Sequence, residues 1–345
     1  MRAMVMDRVG GPLDVREVPD RQAPDGGVVV RVHATGMCRS DWHAWVGHED
    51  IALPHVPGHE LAGVITAVGS GVRNWQVGDR VTAPFVCGCG RCAWCAAGDA
   101  QVCPDQQQPG FTYWGSFAQY VVLYAADTNL VAIPDSVSFH AAASLGCRFA
   151  TAFRALTARA GLGAGEWVTV VGVGGVGLSA VMIAKALGAD VVAVDRNVGA
   201  LDVARRLGAD HTVVADGSDI PDAVGECTGS GSHVAIDAVG SEQTSRDSIL
   251  SLRRRGRHVQ VGLLPPSDGG HPRVPMSRVI AWELDLLGSH GMAAADYPAM
   301  LAMIERGDLR PQDLIERVIG LDEAARLLPT FDTAPVAGMT LIDPW

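Results

Sequence analysis

Cys89, Cys92, Cys95 and Cys103 follow one another as C-x2-C-x2-C-x7-C. Four thiolates on so short a stretch complete the tetrahedral shell of one zinc ion. The backbone there must wrap around a point instead of running on as strand or helix. A closed shell offers no open position, so such an ion braces a loop and does no chemistry. An iron–sulfur cluster is the alternative user of four thiolates. The bacterial ferredoxin run, however, places three residues before its last cysteine, where this chain has seven. Cys87 is read as a bystander to this lobe, and Cys227 as a free thiol. The opening Met1-Arg2-Ala3-Met4-Val5-Met6-Asp7 lacks the apolar stretch of a secretory leader. Clustered cysteines without such a leader predict metal binding, not disulfides, and a cytoplasmic protein.

The length of 345 residues suggests two domains. With 48% hydrophobic and 19% charged residues, the chain reads as an ordinary globular α/β protein. Its net charge of −11 gives no electrostatic reason to bind nucleic acid or an anionic membrane. The local basic run Arg253-Arg254-Arg255-Gly256-Arg257 is read as the last turn of a helix, with Gly256 as its cap. Residues 167–184 carry no charge over a length that suggests a membrane span. Their central glycines and the following Lys185 predict a strand, a tight turn and a helix instead.

Roughly the first 148 residues are β-rich, with strands predicted over 28–33 and 61–68, and a turn into another strand at 78–81. Helical spacing sets in from Ala141 to Ala160. Strand and helix then alternate. Strands are predicted over 167–171, 190–194, 211–214, 233–237, 260–263 and 284–287, and helices over 175–187, 198–207 and 242–254. Short apolar strands separated by helices imply a parallel sheet covered on both faces. Beyond Gly291, helices at 297–306 and 321–328 precede a last strand at 339–342.

Gly172-Val173-Gly174-Gly175-Val176-Gly177 fits G-x-G-x-x-G between a predicted strand and helix. Its first glycine permits the tight turn, its second admits a pyrophosphate, and its third allows helix to pack on strand. The positive end of the helix then faces the phosphates. Asp195 ends the next strand, where a carboxylate bonds the adenosine ribose and repels a 2′-phosphate. This favours NAD over NADP. The neighbouring Arg196 is the counter-signal, because a guanidinium there binds that phosphate.

Cys38, His59 and Cys147 occupy the contexts Gly-Met-Cys-Arg-Ser-Asp, Gly-His-Glu and Leu-Gly-Cys. Two thiolates and one imidazole leave tetrahedral zinc one open position, as a catalytic site requires. The three are far apart in sequence, and spacing alone does not bring them together. A lone buried cysteine commonly behaves as a small hydrophobe.

Taken together, these segments resemble the zinc-dependent alcohol dehydrogenases of the medium-chain dehydrogenase/reductase superfamily, in the family's order and over essentially the whole chain. The resemblance implies a GroES-like β-rich catalytic domain over 1–148 with a zinc lobe at 87–104. It also implies a doubly wound Rossmann domain over 149–290, and a return of 291–345 to the first domain. It implies two zinc ions per subunit, one on Cys38, His59 and Cys147 and a structural one on the four-cysteine loop. Asp41 would orient His59, and Glu60 would approach the metal during ligand exchange. Ser40 would contact the substrate oxygen, and a proton would leave through the cofactor ribose and His43. Arg39 would hold the pyrophosphate, and the Val261 backbone the nicotinamide amide. Trp42, Phe85 and Trp114 would line the substrate pocket.

Two positions depart from the family pattern. Met339 stands where many members carry a pyrophosphate-binding arginine, and Arg148 is an unusually large cation directly after the third zinc ligand. Cys147, where the polyol branch often has glutamate, favours a simple alcohol or aldehyde. The implied activity is reversible hydride transfer between NAD and a primary alcohol with an apolar, aromatic or bulky group. The implied assembly is a homo-oligomer, a tetramer in preference to a dimer. Two alternatives share the scaffold: a zinc-containing reductase of activated C=C or C=N bonds, and a non-enzymatic nucleotide sensor.

Overall fold

A computed structural model of the chain describes residues 1–264, 271, 273–333 and 337–345. The chain forms two compact units, one of Met1–Ala150 with Gly291–Trp345 and the other of Thr151–His290. Among the described residues, no helix is long and apolar enough to cross a membrane.

The second unit is built on six parallel strands. Their order across the sheet is His211–Val214, Asp190–Asp195, Trp167–Val171, Ser232–Asp237, Leu252–Gln260 and Asp285–Gly288. The central strands are near-continuous apolar runs because helices cover both faces; Val168, Val170, Val191, Val192 and Ile236 are fully buried. Side-chain caps start the crossover helices. Asn197 accepts from the Ala200 N–H, Asp219 from Asp222 and Ser241 from Thr244, each satisfying an otherwise orphaned amide. From Trp167–Val171 the chain winds to one edge and then returns to the opposite side at Ser232–Asp237. Such a reversal opens a crevice at the carboxyl ends of the strands. The glycine loop at 172–177 sits there, with Gly172 in the left-handed region at φ 85°.

The arginine run corrects the sequence reading. The helix Glu242–Leu250 stops before it, and Arg253–Arg257 lies within the strand Leu252–Gln260. The left-handed turn falls on Arg255 at φ 59°, not on Gly256. Gly256 serves close packing: a Cβ there would meet the Leu252 side chain and the Arg253 carbonyl at 2.9 Å. Leu252, Gly256 and Val259 are buried while Arg254 and Arg255 project outward. Four arginines in five residues masked that inward set.

In the first unit, the ten-residue strand Val28–Met37 organises a seven-stranded sheet. It pairs antiparallel with Glu60–Val68 and Tyr120–Leu123, and with Met339–Asp343 from the chain's last segment. Ile315–Gly320 extends the sheet beyond Met339–Asp343. A two-stranded ribbon, Arg2–Met6 with Leu13–Glu17, packs its apolar side into a core with Phe117, Leu321 and Leu328. The helical stretch anticipated from Ala141 begins at Phe139 and widens into a π-turn over Leu145–Phe149. Another π-turn, Ala155–Arg159, lies in the second unit. π-turns interrupt α-helices chiefly where a side chain must be re-aimed; the first carries Cys147.

The glycine loop yields a test. A Cβ on Gly177 would stand 1.9 Å from the Gly172 carbonyl oxygen, whereas one on Gly174 would meet nothing within 4 Å. Gly177→Ala should cost about 1–3 kcal/mol as an overpacked site. Gly174→Ala should leave the melting temperature near that of the parent, as followed by thermal circular dichroism.

Candidate functional site

Asp41 is fully buried and binds two separate stretches of chain. Its Oδ2 accepts the Cys38 N–H at 2.8 Å, at the start of the helix Arg39–Val46. Its Oδ1 accepts the Gly58 N–H at 3.1 Å and pairs with His59 Nδ1 at 3.0 Å. A carboxylate only accepts, so Nδ1 carries the proton and Nε2 offers its lone pair. Nε2 is buried and makes no hydrogen bond. A basic nitrogen left without a donor in a dry interior marks a position prepared for a metal.

Ligand atoms of Cys38, His59, Glu60 and Cys147 lie within 4.8 Å of one another. Gly58 permits this approach: it adopts φ 102°, and a Cβ there would strike the Phe117 ring at 2.5 Å. Cys38 is held well below the usual thiol range, first by hydrogen bonding with Cys147 and then by His59, against the cost of burial. The Cys147 thiol is pushed up by the same pairing and by burial. Burial opposes a charge on His59, but Asp41, followed by Cys38, more than offsets it and raises its pKa. Two sulfurs and an imidazole nitrogen make a soft donor set that fits zinc, with a position to spare while Glu60 is paired with Arg148.

The four-cysteine loop also converges, its sulfurs lying within 4.8 Å of one another. Cys92 Sγ is 3.6 Å from both Cys95 Sγ and Cys103 Sγ. Thiolates on a tetrahedral zinc at about 2.3 Å stand about 3.8 Å apart, so this set fits the ion. The amides of Arg91 and Cys92 help to hold the Cys89 thiol at about 6, while burial pushes Cys95 to about 12. Cys87 stays outside this group, buried beside the Pro84 carbonyl at 3.4 Å, with its thiol pushed to about 12 by burial.

In the second unit, Gly174 precedes the helix Gly175–Ala186, whose first turn includes Val176 and Gly177. Gly174 is exposed, and its missing side chain leaves backbone open to a ligand. Asp195 accepts the Val173 and Asn197 amides at 2.8 Å, which fixes its carboxylate beside the loop. Each oxygen keeps a further lone pair for a ribose hydroxyl. Arg196 beside it is exposed. The Val261 N–H donates to the Asp237 carbonyl at 3.1 Å, so that amide is engaged within the sheet.

The remaining predicted residues divide. Ser40 Oγ lies 3.8 Å from Cys38 Sγ, next to the metal group. His43 Nδ1 is 2.8 Å from His48 Nδ1, and the Trp42 ring stands against both imidazoles. Arg39 forms an ion pair with Asp332. Phe85 stacks edge-on to His59 at 6.2 Å between ring centroids. Trp114 packs on the same core as Trp42 and Phe111 and lines a cavity of about 360 Å³ with Arg21, Tyr113, Tyr120 and Tyr124. There the Arg21 guanidinium sits 3.9 Å from its ring centroid. Met339 is fully buried, and Arg148 is buried against Glu60. Sequence reasoning passed over Phe111, whose ring lies 5.1 Å from that of His59, and His48. Neither carries a spacing signal; only the fold brings them in.

Known proteins bear the same pattern. Residues 24–135 match the alcohol dehydrogenase GroES-like domain, and residues 175–306 match the zinc-binding dehydrogenase domain. An alcohol dehydrogenase of Geobacillus stearothermophilus is 40% identical over 268 residues, 77% of this chain and 78% of that one. An NAD-dependent alcohol dehydrogenase of Sulfurisphaera tokodaii is 30% identical over 358 aligned positions covering all of both chains. The crystal structure of an NAD-dependent alcohol dehydrogenase, 31% identical, superposes over the full length of both chains with a TM-score of 0.88. On these matches, and on the two cysteine-rich donor groups it folds to make, the chain belongs to the zinc-dependent alcohol dehydrogenases of the medium-chain dehydrogenase/reductase superfamily.

Proposed function

We propose that this protein is a zinc-dependent, NAD-linked alcohol dehydrogenase acting reversibly on primary alcohols and aldehydes with a bulky apolar or aromatic group. The observation that carries the reading is the meeting of Cys38, His59 and Cys147 around an unpartnered imidazole nitrogen. Those three would hold the reactive zinc, and Cys89, Cys92, Cys95 and Cys103 the structural one. Zinc supplies a Lewis acid that acidifies an alcohol oxygen, and NAD supplies the hydride acceptor.

The chain's own groups do the rest. Asp41 fixes the His59 ring and raises its basicity. Ser40, beside Cys38, would take the alcohol proton, and His43 with its neighbour His48 would pass it to solvent. Glu60 is held by Arg148, and the approach to the metal that the resemblance implies would require that ion pair to open. Arg39 would leave Asp332 for the cofactor pyrophosphate, joined by the helix terminus at Gly174–Gly177. Asp195 would bind the ribose and disfavour a 2′-phosphate, with Arg196 opposing it, and Val261 would meet the nicotinamide amide. The rings of Phe85, Phe111 and Trp42 near His59 and His43 support an apolar substrate. Cysteines gathered into two metal-binding groups support a cytoplasmic protein. Exposed Met276, Ile280 and Leu286, the last on the outer strand of the six-stranded sheet, support a homo-oligomer. A tetramer is proposed in preference to a dimer.

Metal analysis is the direct check: two zinc ions per chain are expected. Cys147→Ala should keep one and lose turnover to background; two zinc ions with full activity would end the proposal. On a panel of alcohols, NAD should outperform NADP. Like-charge juxtaposition costs several kcal/mol, so the kcat/KM ratio should be roughly 100-fold, and Asp195→Ser should narrow it. His43 is held below the ordinary 6.5, mainly by burial, then by His48 and Arg39. It therefore stays neutral at pH 7 and able to accept a proton. Alcohol oxidation should fall as pH drops through a value below 6.5, and His43→Gln should remove that limb while slowing turnover about 10- to 100-fold.

A further inference from the structure

The buried donor group contains one member more than an open zinc site needs. Glu60 is fully buried at the head of the strand Glu60–Val68, and its carboxylate lies within 4.8 Å of the Cys38, His59 and Cys147 donor atoms. Nothing in that spacing keeps it from becoming a fourth protein ligand and closing the shell. What occupies it is Arg148. Glu60 Oε1 accepts the Arg148 backbone N–H at 3.1 Å and Nε at 2.9 Å, and Oε2 accepts from Nη2. This is a planar guanidinium fork on a carboxylate, reinforced by an amide and shielded from water.

The anchoring has two structural sources. Arg148 follows Cys147 in the π-turn Leu145–Phe149, so the turn that delivers the third sulfur also delivers the cation. Gly36, opposite Glu60 in the sheet, supplies the room. A Cβ there would stand 2.1 Å from Glu60 Oε2 and 3.0 Å from Arg148 Nη2.

We propose that Arg148 is a positioning residue that holds the Glu60 carboxylate on its guanidinium, outside the metal's coordination shell, and so keeps the fourth position of the zinc open. The inference rests on Cys38, His59 and Cys147 being the zinc ligands. Removing the guanidinium leaves a buried carboxylate whose nearest available cation is the metal, and an uncompensated buried charge is strongly unfavourable. Glu60 then moves onto the zinc and displaces solvent.

The test compares the native protein, Arg148→Met and Arg148→Met/Glu60→Gln in two measurements. The first is water-proton relaxation of the cobalt-substituted protein, which reports exchangeable water on the metal; the closed four-cysteine site contributes none. The second is the rate at which a chelator removes the more labile zinc. Arg148→Met should lose the relaxation enhancement and release zinc about 10-fold or more slowly, within the 10–100-fold range of groups adjoining metal ligands. The double variant should regain native behaviour in both. A native response from Arg148→Met, or a change that persists in the double variant, would overturn the proposal. Should Arg148→Met fail to fold, Glu60→Gln alone decides. With Glu60 off the metal it keeps the relaxation enhancement and the native release rate, and a 10-fold faster release would show that Glu60 was a ligand all along. A native chain binding only one zinc would instead bring down the underlying metal assignment, and this proposal with it.

Discussion

One buried carboxylate makes the metal centre possible. Asp41 accepts the amide that starts its own helix, the amide before His59, and the imidazole itself. Cys38 follows one strand and His59 precedes its antiparallel neighbour, with Gly36 opposite Glu60, so the sheet brings them side by side and Asp41 ties them together. With it, the first sulfur and the first nitrogen are fixed relative to each other before any cation arrives. A metal site assembled this way needs little rearrangement on binding, which is where precise coordination geometry comes from.

The third sulfur is reached by a different device. The helix capped by Ser138 ends at Ala143, and Cys147 sits in the π-turn that follows it. The π-turn at Leu145–Phe149 changes its phase, and the same irregularity presents Arg148 to Glu60. The centre thus combines a rigid half, braced by Asp41, with a half whose charge balance is set by an ion pair.

Much of this was legible in the chain itself. The alternation of apolar runs and helices gave away the parallel sheet, and the spacing of the four cysteines gave away the structural lobe, because both signals are local. The glycine loop was legible for the same reason. The partnership of Glu60 with Arg148 was not: 88 residues separate them, and no periodicity connects them. Phe111 and His48 were missed because a ring or imidazole near a site is indistinguishable in sequence from one in a core or on a surface. Trp114 was read as a pocket residue on its aromatic character, and in the fold it carries the Arg21 guanidinium on its ring. The arginine run failed for a physical reason. Cations near a helix end are so favourable that they outweighed the weaker pattern of Leu252, Gly256 and Val259 facing inward.

The first unit's sheet takes a strand from the far side of the second unit in sequence. Strand Val28–Met37, which leads directly into Cys38, has Met339–Asp343 as one of its neighbours. All of Thr151–His290 is synthesised between them. The dinucleotide-binding unit is one continuous run of chain, whereas the zinc-binding one takes an interior strand from beyond it. The zinc-binding unit is thus discontinuous in the chain and needs segments from both sides of an inserted, continuous one.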